Sequence, residues 1–413
     1  MSKNEIRLDA PWLKSAPLKA VFAAIEAGGF EARVVGGAVR NALLGRPISD
    51  IDIATPALPE DVIRLASAAG LGTHPTGLSH GTVTVVSNGT PFEVTTLRRD
   101  VETDGRHAVV AFTDDWAEDA KRRDFTINAL SAAPDGTLFD YTGGRGDLTA
   151  GRVRFIGEAR DRIREDYLRI LRFFRFSAEY GRGAPDPGGL AACTELESGM
   201  TQLSAERIGA EMMKLIVSAR AAEICSAMER TGILKTILGT QTHSERLARL
   251  QDIETRLGVP ADAAGRLAAL TLDGPEKADD AARRLRLSNA MAAALKAAAT
   301  SHPALNPNTS EHDAMGLLYR LGGDAFGRAV RHAWAASGAA ASDPAWRGRS
   351  LLAARWSPPA MPVSGADVLA LGLAPGPNVG SVLAAFEVWW IEHNFPSDPA
   401  LQKRKLSELA GKA

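Results

Sequence analysis

The spacing of apolar positions along this chain changes partway through, and the change separates two kinds of structure. Through the first 150 or so residues, short strand-like runs alternate with helix-like pieces and tight turns, a pattern of the α/β or α+β kind. Ala32 to Val35 predicts a short buried strand, Gly36-Gly37 a turn, and Ala38 to Leu44 a helix stopped by Gly45 and Pro47. Asp50 to Thr55 predicts a second strand. Pro59 to Ala69 has proline at the first helical position and Gly70 just past the end, the asymmetry of a capped helix. The β-branched runs Thr82 to Val86 and Phe92 to Leu97 flank Asn88-Gly89 and predict a hairpin. Beyond a polar stretch, Thr126 to Ala132 reads as a helix, and Pro134-Asp135-Gly136 turns the chain into a short strand from Thr137 to Tyr141.

From about residue 160 the apolar period becomes 3.6, and everything that follows reads as helical. Ile163, Tyr167, Ile170/Leu171, Phe174 and Ala178 make one stripe of a single long amphipathic helix. Later helices are separated by Pro, Gly and Asp near Pro185 to Gly189, Asp273 to Pro275, Pro303 to Pro307, Pro358 to Pro362 and Pro375 to Pro377.

Composition narrows the class. With 413 residues, 45% hydrophobic and 23% charged, the chain has the make-up of a folded protein of several domains, and long disorder or a fibrous repeat does not fit. A net charge of −1 removes a nucleic-acid binder that is basic all over, yet leaves room for a basic face. Such a face is encoded: Lys121 to Arg182 holds 13 basic and 9 acidic residues. Cys193 and Cys225 are too few for a disulfide framework or a cysteine-rich zinc site. Met1 to Leu8 has no apolar leader core, and no stretch of about eighteen uncharged apolar residues occurs, so no membrane partner and a cytoplasmic location are expected.

Candidate chemistry centres on Asp50-Ile51-Asp52-Ile53. Residues i and i+2 of a strand share a face about 7 Å apart, so two carboxylates would converge while two isoleucines enter the core. Hard cations such as Mg²⁺ take carboxylate oxygens and keep water or phosphate as their other ligands, which suits phosphoryl chemistry. Alternating Asp and Ile also describes an ordinary half-buried strand. Gly36-Gly37 fourteen residues earlier offers backbone amides at a helix start, with Arg40 one turn along, for an anionic phosphate. No P-loop pattern occurs; Gly146 to Gly151 has the spacing but continues Arg152-Val153. Glu93, in the second hairpin strand, is either a third metal-facing carboxylate or a solvent-face residue. Arg122, Arg123, Asp124 and Asn128 supply groups for phosphate and ribose, Asp124 serving equally well as a helix cap. Asp166 and Arg169, with Arg172, combine an acceptor and donors that together imitate the edge of a base; a surface Glu165–Arg169 ion pair is the plainer alternative. Phe386, Trp389 and Trp390 fit core packing better than base stacking, and His312-Asp313 lacks histidine partners for a second metal site.

Taken together, Val35-Gly-Gly-Ala-Val-Arg-Asn-Ala-Leu-Leu-Gly45, Asp50-x-Asp52, Arg122-Arg-Asp-Phe-Thr-Ile-Asn128, Glu165-Asp-Tyr-Leu-Arg-Ile-Leu-Arg172 and Glu206-Arg-Ile-Gly-Ala-Glu211 resemble the class II tRNA nucleotidyltransferases, or CCA-adding enzymes, relatives of the bacterial poly(A) polymerases. The resemblance covers residues 30 to 220 and implies an α+β fold, with a polymerase-β-like head of mixed sheet and helices followed by all-helical neck, body and tail. The expected divisions are a catalytic head over 1–150, a neck with the nucleotide template helix over 151–222, and a tRNA-binding body and tail over 223–413. By the same resemblance Asp50 and Asp52 bind Mg²⁺ and Glu93 is a further catalytic carboxylate. Gly36, Gly37 and Arg40 hold the triphosphate, and Arg122, Arg123, Asp124 and Asn128 contact ribose and phosphates. Asp166 and Arg169, beside Arg172, select CTP and then ATP, while Glu206 and Arg207 prop the template. Asp104-Gly105-Arg106 matches a flexible loop that helps switch between the nucleotides. Asn41 stands where many members carry Asp, and Ala108 where Pro is frequent. The implied partners are the acceptor arm and elbow of tRNA with CTP and ATP, and no obligatory protein partner. A poly(A) polymerase, a CC- or A-adding enzyme, and a non-catalytic RNA-binding protein are the competing assignments.

Overall fold

The computed structural model describes residues 7–104, 107–271, 275–300 and 305–411. It divides into two compact units, the first ending at Gly239 and the second starting at Thr240.

Among the described residues of the first unit the short runs become nine strands: β1 (Arg33–Val35), β2 (Asp52–Thr55), β3 (Gly72–Gly77), β4 (Thr82–Ser87), β5 (Thr90–Thr96), β6 (Arg98–Asp104), β7 (His107–Phe112), β8 (Leu130–Ala132) and β9 (Leu138–Asp140). Seven form one sheet in the order β3-β4-β5-β2-β1-β8-β9, and β6 pairs with β7 as a separate hairpin. Within the sheet β2 and β5 run parallel and every other pair antiparallel. Asn88 and Gly89 both take positive φ, 48° and 76°, as a two-residue turn matching strand twist requires, so the hairpin stands where Asn-Gly predicted it. Along β4 and β5, Val83, Val85, Phe92 and Val94 are buried while Thr82, Thr84 and Glu93 face away from that core. Helix α1 (Ala16–Glu26) and, after α2 (Gly37–Leu43), helix α3 (Pro59–Ala68) pack on the strands, contributing Phe22, Ile25 and Val62. Each such side chain, fully buried, is worth about 1.5–3 kcal/mol. The sheet therefore has a dry face that stabilises it and, beside a small apolar patch of Val35, Ala54 and Leu97 under Trp116, an open face at Asp52 and Glu93.

Three expectations are corrected. Strand β2 begins at Asp52 and leaves Asp50 in the preceding loop, because the ladder to β1 starts at the Val35–Asp52 pair. Thr126 to Ala132 is not a helix. A single 3₁₀ turn, Thr126–Asn128, leads into β8, whose Ala132 and Ser131 pair with Val34 and Val35 of β1. Sheet pairing overrides a weak helical preference there. The long helix after residue 160 is two helices. After α4 (Trp116–Lys121) and α5 (Gly144–Ala150) come α6 (Ala159–Glu165) and α7 (Leu168–Tyr180), broken at Asp166, whose φ and ψ of −156° and 107° are extended. Its carboxylate accepts the Leu168 N–H at 3.0 Å, as a helix-capping Asp does, so the chain starts a new helix instead of continuing the old one.

Helix α7 packs on α9 (Ala205–Ile216) and α10 (Ala221–Arg230), with α8 (Pro187–Glu195) against α6 and α11 (Ile233–Leu238) closing the unit. Phe125, next to the 3₁₀ turn, has its ring centroid 4.9 Å from Phe155 and 5.3 Å from Phe176 of α7. That aromatic seam fixes α7 against the sheet.

The described part of the second unit is helical from Ser244–Leu257 to Pro399–Ala410. One apolar cluster surrounds Phe326, Trp334 and Trp346, the two indoles stacked 6.4 Å apart. Another holds Phe386, Trp390 and Leu406, with Trp389 half-buried beside them, so these aromatics are core as expected. His312 bonds Asn394 at 2.9 Å, and Asp313 closes the cap of its helix with Ser310. Both cysteines are buried and unbridged. Among the described residues no helix is long and apolar enough to cross a membrane.

Candidate active site

The floor of the site is the open sheet face at the start of β2. Asp52 and Glu93 are register partners across the parallel β2–β5 ladder, so their carboxylates leave the same face side by side, while Ile53 and Val94 pair below them in the core. Loss of water around the Asp52 carboxyl, then Glu93, and less strongly Asp50, hold it above the usual carboxylate range, and Arg123 works in the opposite direction. Glu93 thus acts on Asp52 more strongly than Asp50 does. Asp50 lies exposed in the loop and accepts the Ser49 hydroxyl at 2.9 Å.

Beside the carboxylates, β1 ends at Gly36, which takes a positive φ of 69° and turns the chain into α2. A Cβ on Gly36 would stand 3.3 Å from a guanidinium nitrogen of Arg123, so the bare glycine leaves room for that cation. Gly37 opens the helix. Arg123 and Arg122 are gripped from behind by the buried Asp119 of α4, at 3.2 Å and 2.7 Å. Burial pushes the Asp119 carboxyl up, but Arg123 and Arg122 outweigh it and hold the group below its ordinary range. Asp119 was not among the residues singled out from sequence; the i, i+3, i+4 spacing Asp119, Arg122, Arg123 is the signal that finds it.

The wall is a relay between the 3₁₀ turn and α7. Buried Asp124 accepts the Phe125 N–H at 2.8 Å, the Asn128 amide at 2.9 Å and the Arg172 guanidinium at 2.6 Å. Its desolvation is outweighed by Arg172 and these donors, so it stays ionised well below the usual range. Asn128 in turn accepts from Arg40. Arg40 is itself buried and donates to Tyr180 at 2.8 Å while lying over that ring, so it joins α2 to α7 and reaches the cleft through Asn128. Arg172 also faces Glu211 of α9 at 4.0 Å.

Farther along the wall, at the break between α6 and α7, Asp166 accepts from Arg207 at 2.6 Å. Arg169 donates to the Arg162 carbonyl at 2.9 Å and pairs with Glu165, both through Nη1, so the ion pair weighed above is present. The Arg169 N–H donates to the Asp166 carbonyl at 2.9 Å, but the two side chains are bonded to other partners and not to each other. Tyr167, between them in sequence, lies so close to Gly199 that a Cβ there would meet its ring at 1.9 Å. Asp104 ends β6, and Gly105 and Arg106 lie outside the described residues.

Among the described residues no three carboxylate, imidazole or thiol groups are drawn together as a ready-made metal cluster. The donors at hand are the hard oxygens of Asp52 and Glu93, with Asp50 ahead of them. That set fits Mg²⁺, which takes one or two carboxylates and completes its shell with water and phosphate. The disfavoured charge of Asp52 is one that a cation would relieve.

Residues 32–154 match the family model described as the Poly A polymerase head domain, and residues 185–243 match one described as a probable RNA and SrmB-binding site of polymerase A. The chain is 47% identical over 210 residues to CCA tRNA nucleotidyltransferase 1, mitochondrial, of Danio rerio, covering 49% of this chain and 48% of that one. It spans about half the length of the mitochondrial relatives it matches. To the CCA-adding enzyme of Limosilactobacillus fermentum it is 31% identical over 396 residues, covering 95% of this chain and 96% of that one. Among solved structures, the Bacillus stearothermophilus CCA-adding enzyme in complex with CTP superposes with a TM-score of 0.71 at 28% identity, covering 96% of this chain and 99% of that one.

Proposed function

Because the chain belongs to the family of CCA-adding enzymes, nucleotidyltransferases that share the poly(A) polymerase head, we propose that it builds or repairs the CCA end of tRNA from CTP and ATP. The observation that carries this reading is the pairing of Asp52 with Glu93 on an open sheet face beside Gly36 and Arg123. Carboxylates for a cation and an arginine-backed glycine turn for a triphosphate are the two halves of a nucleotidyl-transfer site. We assign residues 1–150 to the catalytic head, 151–222 to the neck that reads the base, and 223–413 to tRNA binding.

Mg²⁺ would be held by Asp50 and Asp52 with Glu93 alongside, and when bound supplies charge neutralisation at the α-phosphate and a lowered pKa for the attacking hydroxyl. The Gly37 amide with Arg123 and Arg122 takes the triphosphate, since the Gly36 N–H is held by the Leu130 carbonyl at 3.0 Å. Asn128 and Asp124, kept in place by Arg40 and Arg172, take the ribose. The 3′-oxygen of the tRNA bonds to the α-phosphorus, and the bond to the bridging oxygen breaks. Pyrophosphate leaves with that electron pair, and the hydroxyl proton passes to a Glu93 carboxylate oxygen. The attack is in line and needs no covalent enzyme intermediate. Asp166 and Arg169 present an acceptor and donors to the base; with the Arg169 guanidinium bonded only through Nη1 among the described residues, its remaining guanidinium N–H groups suit that task.

Primer extension tests the proposal. tRNAs lacking CCA, ending in C, and ending in CC are each offered CTP, ATP or both with Mg²⁺. Addition that uses CTP before ATP and stops at CCA is expected. Long A tracts on general RNA would instead make the chain a poly(A) polymerase, CC alone or A alone a partial enzyme, and no extension a binding protein.

A further inference from the structure

We infer that the 3′-terminal nucleotide of the tRNA is received on a row of side chains that crosses the open sheet face from Glu93 through Thr84 to His74. This rests on the function proposed above and adds a primer subsite to it.

Residues opposite one another in a ladder share a face of the sheet. Val35 stands opposite Asp52, Asp52 opposite Glu93, Glu93 opposite Thr84, and Thr84 opposite His74. The row therefore runs straight across β1, β2, β5, β4 and β3. At about 4.8 Å between strands, His74 lies about 10 Å beyond Glu93, a span suited to a nucleotide.

The two ends of the row differ in chemistry. On the β1 side of the carboxylates stand the Gly37 amide and the guanidinium of Arg123, groups suited to the triphosphate. On the other side β4 and β3 offer hydroxyls and an imidazole: Thr84 is half-exposed and His74 exposed. In-line transfer requires the attacking oxygen and the leaving pyrophosphate on opposite sides of the α-phosphorus. With pyrophosphate over Gly36 and Arg123, the hydroxyl must arrive over Glu93, and the nucleotide that carries it must extend across β4 and β3.

The strands there are shaped for such a role. Val83 and Val85 are fully buried and pin β4 while Thr84 points the other way. The ladder between β3 and β4 slips between His74 and Gly77, and the Oγ1 atoms of Thr76 and Thr84 lie 2.8 Å apart on this face. Irregularities of this kind collect next to active sites because they re-aim side chains. Strand β3 is an edge strand carrying Pro75, so nothing in the sheet continues past it. Strands β3 and β4 carry no acidic residue, so a ribose-phosphate can lie past Glu93 without a further carboxylate to repel it.

The test uses the full chain with His74→Ala, Thr84→Val, their combination, and Thr84→Ser. In the double variant kcat/KM for tRNA ending in CC is expected to fall about tenfold, the loss of one or two hydrogen bonds, while the KM for ATP stays within about twofold. Thr84→Ser keeps the hydroxyl and should recover most of the efficiency lost in Thr84→Val, which a packing role would not produce. Unchanged kcat/KM for tRNA in the double variant, or an equal rise in the KM for ATP, would overturn the subsite. A photoreactive base at the last position of the tRNA supplies an independent arm. Cross-linking to residues 72–87 supports the row and cross-linking elsewhere rejects it, even if the wild-type chain extends no tRNA and the function itself has to be revised.

Discussion

The two units bury charge to different ends. In the first, Asp119 and Asp124 are buried anchors whose arginines keep one side open: 22% of the Arg123 side chain and 32% of that of Arg172 remain accessible. In the second, Glu254 and Arg266 pair at 2.7 Å with side chains only 2% and 7% accessible, tying two helices together near the tryptophan cluster. The direction of each shift follows. Arg172 and its companions hold Asp124 below the usual range against desolvation, whereas around Glu254 desolvation wins over Arg266 and the carboxyl lies above it. A buried charge with a half-open partner presents chemistry; one with a closed partner only fastens the fold.

Asp52 stands outside that rule, since it is exposed at the start of β2 and anchors nothing. Asp52→Ala is expected to lower the rate of nucleotide addition by about a thousandfold or more while the tRNA dissociation constant changes little. Because the surroundings of Asp52 disfavour its charge, the melting temperature of the variant should not fall. Wild-type rates would refute the metal role.

Arg172→Ala and Arg266→Ala apply the same physical injury to each unit. Each strands a buried carboxylate and should cost about 3 kcal/mol in urea unfolding. Only Arg172→Ala should also weaken nucleotide binding at temperatures where both variants remain folded, read by titration with CTP. Equal effects of the two on nucleotide affinity would erase the distinction.

The smallest effect is expected at Arg169. Its loss leaves Glu165 still paired with Arg162, so stability should move by less than about 1 kcal/mol. The preference for CTP over UTP in single-nucleotide incorporation should fall about tenfold, the discrimination of one good donor pair. Retained discrimination would remove Arg169 from base reading.

Local chemistry was legible in the sequence wherever local rules decide the backbone. Asn88-Gly89 called for positive φ and made the hairpin, and Pro59 with Gly70 bracketed α3. Apolar periodicity failed at Asp166, because a stripe continues in register across a break that one capping carboxylate creates. Thr126 to Ala132 was misassigned because its fate depends on β1, about ninety residues earlier in the chain. Of the site, the residue types and the Asp-x-Asp spacing were plain. That Glu93 outranks Asp50 beside Asp52, that Asp119 backs Arg122 and Arg123, and that Thr84 and His74 continue the row all depend on ladder register, which no local pattern encodes.

The parallel pairing of β2 with β5 also sets an order of assembly. Asp52 and Glu93 are far apart in sequence, and no short peptide brings them together. They meet only once the β4–β5 hairpin has formed and docked, with Ile53 against Val94 offsetting the repulsion above them. A growing chain therefore lacks the Asp52–Glu93 pair until β5 has been made and has folded back onto β2. The reactive centre is late by construction: contacts that tolerate its like charges must be in place before those charges can face each other.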